Sequence, residues 1–211
     1  MASVYTNDLR LEEIGSGEQS GSWGDTTNTN LELIAEAFAY GTEAITTNAD
    51  THATTIADGA TDPGRAMFLK YTGALDSACT ITLGPNTVSK MWFIENGTSG
   101  SQNIIISQGS GANVTIPAGH VKAVYTNGAG SGAVVTDAFA ALSVVDLLVD
   151  DALTVTGATT TTGTLTVGVD DTGHDVKFFG ATASAYMLWD ESEDDLILGG
   201  AAGLSVNSAA L

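Results

Sequence analysis

The sequence predicts a mainly β protein: an extended N-terminal arm with one short helix, a small antiparallel β-sandwich or jelly-roll-like domain, and then a fibrous β repeat. Three observations lead there. Gly (25 residues) and Thr are abundant while Pro is scarce (3 residues), and short runs of alternating Val, Ile, Leu and Thr are cut by Gly, Asn, Asp and Pro turns. A single apolar stripe at helical spacing follows a Gly- and Ser-rich start. A Thr-rich stretch then repeats "LTVTG" and "LTVGV" twelve residues apart.

Composition narrows the class. With 43% apolar residues the chain is too hydrophobic to be disordered. Its 25 acidic residues against 6 Lys and Arg give a net charge of −19. Nucleic acid and anionic membrane surfaces repel such a chain, so neither is an expected partner. The one cysteine, Cys79, cannot form an internal disulfide, and its apolar run "SACTITL" predicts a buried thiol. No basic region followed by an apolar core marks a signal peptide at the start, and no run of about eighteen apolar residues spans a membrane.

The elements follow in order. Residues 1–43 form the arm and helix. Val4, Tyr5, Leu9, Leu11, Ile14 and Trp23 stand singly, and an extended arm cannot bury them against itself. Leu31, Ile34, Ala35 and Phe38 share one helical face, with Asn28 or Asn30 as the cap and Gly41 as the stop. A helix of about ten residues is not stable alone in water. It must pack on the next domain, on a copy of itself, or on a partner.

Residues 44–137 form the β domain. Candidate strands are 51–57, 66–72, 79–83, 88–95, 103–107, 113–116, 121–126 and 133–136, separated by turns such as "DPGR", "GPN" and "NGAGSG". Eight short strands at even spacing predict an antiparallel sandwich or jelly roll. Residues 138–168 are a connector, helix or strand at first, followed by a Thr-rich stretch. Eight of the seventeen residues from Ala152 to Gly168 are Thr, too few large side chains for a globule, so stacked turns of a fibrous β structure are expected.

The last module, 169–211, holds three strands, "DVKFFG", "AYMLWD" and "DLILGG". Val176, Phe178, Tyr186, Leu188, Leu196 and Leu198 share one parity; Phe179, Met187, Trp189 and Ile197 share the other. Both faces are therefore apolar, and a module this short cannot cover both. Another copy of the same chain is the economical cover.

Two stretches carry a family resemblance. "GSWGDTTNTNLELI" resembles the N-terminal signature of tail-fibre proteins of marine bacteriophages. "VGVDDTGHDVKFFGATASAYMLWDESEDDLILGG" resembles a unit of cyanophage fibre shafts. The resemblance covers roughly the first forty-five and the last sixty residues. It implies a homotrimeric virion fibre, made in the host cytoplasm and located in the tail. The fibre would dock on tail adaptor or nozzle proteins, and its distal part would lead toward a host surface receptor. It places Gly21, Trp23, Gly24, Thr27, Asn28, Asn30 and Leu31 on the docking signature, with Ile34 and Phe38 on the same helix, and Trp23 as an aromatic anchor. The competing expectation is that Trp23 packs on the chain's own β domain. The ten apolar residues of the last module become the trimer interface. The chain ends on "GGAAGLSVNSAAL" with no receptor-binding tip recognisable. A capsid decoration protein or head fibre is the alternative role, and a host-glycan-binding module a more remote one.

Catalysis, a cofactor and a metal are not expected. "DDTG" (170–173) matches an aspartic-protease motif only once, where two aspartates would have to share a proton. The acidic run 190–195 lacks the spaced Asp and Gly of a calcium loop. His52, His120 and His174 stand alone, and no carboxylate pair of glycosidase type can be assigned.

Overall fold

The computed structural model describes residues 2–205, which fall into two compact units divided between Asp146 and Leu147. The β-rich class holds: one helix, α1 (Trp23–Ala37), and three sheets account for the regular structure of the described residues.

The first unit contains nine strands, β1 (Tyr40–Ala44), β2 (Thr51–Thr55), β3 (Phe68–Thr72), β4 (Cys79–Gly84), β5 (Met91–Asn96), β6 (Ile104–Ser107), β7 (Val114–Ile116), β8 (Val121–Thr126) and β9 (Val135–Asp137). They form a sandwich of two sheets, ordered β1-β3-β5-β8-β9 and β2-β4-β6-β7. The expected antiparallel arrangement is wrong for most of it. β1, β3 and β5 pair in parallel, as do β2, β4 and β6. Successive strands alternate between the sheets, so the chain winds like a coil for three turns. Only β7, β8 and β9 close it with antiparallel pairing. The physical reason is that alternating burial marks a strand with one face inward, whatever the direction of its neighbour. Nor does any linker hold the two-residue turn that forces a hairpin.

Inward side chains fill the space between the sheets. Leu69, Tyr71, Trp92, Ile94 and Val124 come from one sheet, and Cys79, Ile81, Ile104, Ile106 and Ile116 from the other. Cys79 is buried and unpaired, as expected, and burial raises its thiol pKa. Each expected strand in 51–136 has a counterpart. β1 was not expected, because Tyr40 and Gly41 looked like the end of a helix. Gly41 instead lies in a strand, where an added Cβ would come within 2.6 Å of the Pro63 carbonyl oxygen. Gly73, at φ +126°, turns the chain with its missing Cβ aimed 2.3 Å from the Ile45 carbonyl oxygen.

The N-terminal arm is folded, not extended. Val4 and Glu13 exchange backbone hydrogen bonds, and the Asn7 amide side chain closes a loop on both backbone groups of Leu11. The arm is fixed to the β domain at several points. The Gly59 amide donates to the Arg10 carbonyl, Arg10 pairs with Asp58 at 2.7 Å, and the Ser89 amide donates to Asp8. Tertiary hydrogen bonds order this Gly- and Ser-rich segment where local propensity does not.

The strongest of these ties is Arg65, at the end of a 3-10 turn (Pro63–Arg65) between β2 and β3. Its side chain is fully buried. It donates to the carbonyls of Leu9 in the arm (3.2 Å), Ala57 (2.6 Å) and Ala60 (3.0 Å), and pairs with Asp62 at 3.2 Å. Asp62 in turn accepts the Arg65 amide and the Ala57 amide. Two residues of β5's neighbourhood hold the same turn: Trp92 Nε1 donates to the Gly64 carbonyl at 2.8 Å, and Lys90 Nζ to the Arg65 carbonyl at 2.8 Å.

Lys90 makes this turn pH-sensitive. Burial pushes its ammonium pKa from the ordinary 10.5 down to about 8. Below pH 8 both folded and unfolded chains hold the proton, and the folded state bears the full desolvation cost. Between pH 8 and 10.5 the folded protein has released a proton that the unfolded chain retains, so this group makes stability rise with pH. The expected result is that Lys90→Met flattens the pH dependence of the urea midpoint in that window. Identical slopes in the two proteins would refute it.

The second unit holds a three-stranded antiparallel meander, β10 (Val176–Phe179), β11 (Tyr186–Asp190) and β12 (Asp195–Gly199), at the three positions expected. Between β9 and β10 the chain has no helix or strand. The stretch 138–151 adopts neither of its two expected forms, and the Thr-rich 152–168 is exposed and unpaired, not stacked. The tail of the module, from residue 206 onward, lies outside the described residues.

Candidate functional site

Helix α1 is built the opposite way round from a surface helix of a globular domain. It starts at Trp23, eight residues before the apolar stripe, with Ser22 rather than Asn28 or Asn30 at the N-cap position. Gly24, Thr26, Thr27 and Thr29 are weak helix formers, so its first half was not legible as helix. Two features favour it. Asp25 sits in the first turn, where a negative charge complements the helix dipole. The inward face is also held by polar side chains.

That inward face is Thr26, Asn30, Leu33, Glu36 and Ala37. The Asn30 side-chain amide makes two bonds to Glu12 of the arm, accepting from its N–H at 3.0 Å and donating to its carbonyl at 2.9 Å. Thr26 donates to Gln19. The Glu36 carboxylate accepts from the Thr61 hydroxyl and, at 2.9 Å, from the Asp62 amide. Of the apolar residues only Leu33 and Ala37 are buried here.

The outward face carries the large apolar side chains. Trp23 is 64% exposed, Leu31 59% and Phe38 72%, with Ile34 between them at 36%. Their spacing of four, three or eight residues lines them along one side of the helix. The sequence stripe Leu31, Ile34, Ala35, Phe38 therefore exists as a face, but it does not cover the β domain. The expectation that Trp23 packs on that domain is overturned by its exposure.

The remaining expected docking residues divide. Thr27 lies on the same outward side, with its hydroxyl bonded to the Trp23 carbonyl. Asn28 is exposed. Gly21, at φ +90°, needs glycine for the turn into the helix, whereas Gly24 has nothing within 4 Å of an added Cβ. Asn30 points inward and ties helix to arm, a structural use that its place in the signature did not reveal.

The structure adds residues that the sequence did not offer. Two positions past Phe38, Tyr40 is 58% exposed and stacks on Phe68 with ring centroids 5.5 Å apart. The parallel register continues this row to Phe93, and Met91 and Tyr125 pair beside it on the same outer face. This row became visible only with the strand pairing.

The expected trimer-interface residues lie together in the second unit, but sequence parity sorted them wrongly. Register puts Val176, Trp189 and Leu196 in one row and Phe178, Met187 and Leu198 in the next, all on one face. Lys177, Leu188 and Ile197, then Phe179 and Tyr186, make the other. Each strand starts its own alternation, so odd and even numbers do not carry over between strands.

Groups with other chemistry mostly have local partners, although the buried Glu43 Oε2 has no hydrogen-bond partner among the described residues. His52 and Glu43 form a pair at 2.7 Å at the start of the coil, above the buried Tyr71, whose hydroxyl bonds Thr54 and whose phenol pKa burial raises strongly. The "DDTG" segment is a tight turn in which Val169 and Thr172 exchange backbone hydrogen bonds. In the acidic run 190–195, Asp190 accepts from both the amide and the hydroxyl of Ser192. Among the described residues no three His, Cys, Asp or Glu side chains group as metal ligands, and no helix is long and apolar enough to cross a membrane.

Comparison of the chain with protein-family models, with curated proteins and with solved structures found no match.

Proposed function

We propose that this chain is a non-catalytic structural protein of a phage virion. In this proposal it is the tail-proximal part of a trimeric tail fibre, which docks on a tail adaptor or nozzle protein and projects toward the host surface. The observation that carries the reading is the outward stripe of α1. A helix fixed to its own domain by Asn30 and Glu36, yet presenting Trp23, Leu31, Ile34 and Phe38 to solvent, has the layout of a docking element. The stripe coincides with the "GSWGDTTNTNLELI" stretch that resembles the docking signature of marine phage fibres. The open space around Gly24 leaves room for a partner's backbone beside Trp23.

The test uses Trp23→Ala and Phe38→Ser in the full chain. Neither side chain supports the fold, so the unfolding free energy from urea denaturation should stay within about 0.5 kcal/mol of the parent's. Affinity for tails stripped of fibres should fall by roughly 30-fold or more, the loss expected for a buried aromatic anchor. Variants that bind tails as the parent does would remove the docking role. Labelled chain found on heads instead of tails would replace the fibre with a capsid decoration protein.

A further inference from the structure

The chain contains two Asn-Gly pairs, Asn96-Gly97 and Asn127-Gly128, and the fold treats them differently. Before a glycine, an asparagine side-chain carbonyl is most open to attack by the next backbone nitrogen, because no Cβ stands in the way. At Asn96 the groups that such a reaction needs are engaged. The residue is fully buried. Its Nδ2 donates to the carbonyls of Gln102 and Ile116, both at 3.0 Å, and the Gly97 amide donates to the Tyr71 carbonyl at 2.9 Å. Asn127 follows β8 and is exposed. Among the described residues neither its Nδ2 nor the Gly128 amide donates to a protein group. Its Oδ1 accepts from the amides of Ala129 at 3.3 Å and Val134 at 3.0 Å.

We infer that Asn127 is a site of intramolecular deamidation and that Asn96 is shielded from the same reaction. Hydroxide removes the Gly128 amide proton. The nitrogen attacks Asn127 Cγ, and the charge that builds on Oδ1 is held by the Ala129 and Val134 amides, which already point at it. The Cγ–Nδ2 bond breaks and ammonia leaves, closing a succinimide. Water then opens the ring. Breaking the new Cγ–N bond gives aspartate, and breaking the original peptide bond gives isoaspartate, whose main chain runs through Cγ and is one carbon longer. Asn96 Oδ1 also accepts two donors, both from Thr98, so the polarised carbonyl is common to the two sites. A free nucleophile, a free leaving group and access to water distinguish Asn127. Isoaspartate would be felt in the fold. A Cβ on Gly128 would lie 2.5 Å from the Thr87 carbonyl oxygen, and the Gly130 amide donates to Asn86 at 3.1 Å, so the turn has little slack. An added carbon there pulls Val134 off its tie, next to the start of β9 at Val135.

The experiment is peptide mapping by mass spectrometry of the intact full chain after incubation in mildly alkaline buffer, once folded and once unfolded in urea. In the folded chain the Asn127 peptide should convert to aspartate and isoaspartate forms at least roughly tenfold faster than the Asn96 peptide, since conversion at Asn96 needs a local opening of the sheet. In urea the two sites should convert at similar rates. Faster hydrogen exchange at Val134 and Val135 in the aged protein should accompany the change. An Asn127 that stays intact in the folded chain, or an Asn96 that converts equally fast there, overturns the inference. So does an unequal pair in urea, because the preference would then lie in the local sequence and not in the fold.

Discussion

Arg65→Met should destabilise the first unit by about 3–5 kcal/mol, the cost of removing one partner from a buried, hydrogen-bonded charge pair. The guanidinium has no exposed surface and serves three carbonyls and Asp62. Methionine fills much of the volume but satisfies none of them. It leaves the largely buried Asp62 carboxylate without its cation. One of the orphaned carbonyls belongs to Leu9, so the loss should also loosen the arm. Urea denaturation measures the first effect, and hydrogen exchange at Leu11 and Glu13 the second. A midpoint equal to the parent's would show that the buried charge is not what fixes the turn.

Trp92→Ala should cost a similar amount, about 3–5 kcal/mol, through the cavity left by a fully buried indole. It also frees the Gly64 carbonyl from its 2.8 Å bond. Trp92→Phe separates the two contributions. It keeps most of the packing but not the donor, and should lose roughly 1–3 kcal/mol. Trp92 holds the Gly64 carbonyl, next to Arg65 in the same turn, so the double variant should be less than additive. Strict additivity in denaturation would mean that the turn is not a shared joint.

What could be read in advance follows from how local each signal is. The eight strands in 51–136 and the three in the last module were legible, because alternation and turn residues act within a few positions. Their direction was not. Parallel pairing of Tyr40 with Phe68, or of Thr51 with Thr80, leaves no mark inside either strand. The apolar stripe of α1 was visible, but the side that faces the domain was not. The deciding contacts are polar and distant: Asn30 with Glu12, and Glu36 with Asp62. Arg65 was one of six basic residues with nothing to single it out, since its partners are mainly backbone carbonyls. In the meander the set of apolar residues was correct, while their division into faces needed the register.

The alternation of strands between two sheets sets an order of assembly. Each new parallel strand lies on one laid down roughly thirty residues earlier or fewer, so every closure is short and the cost of loop entropy stays modest. A chain leaving the ribosome can therefore spool itself from the amino end, one lap on the last, without waiting for its far terminus. The spool stays open along β5 until β8 arrives from Val121 onward, so a polypeptide interrupted before that point would hold Trp92 and Ile94 at a raw, adhesive margin.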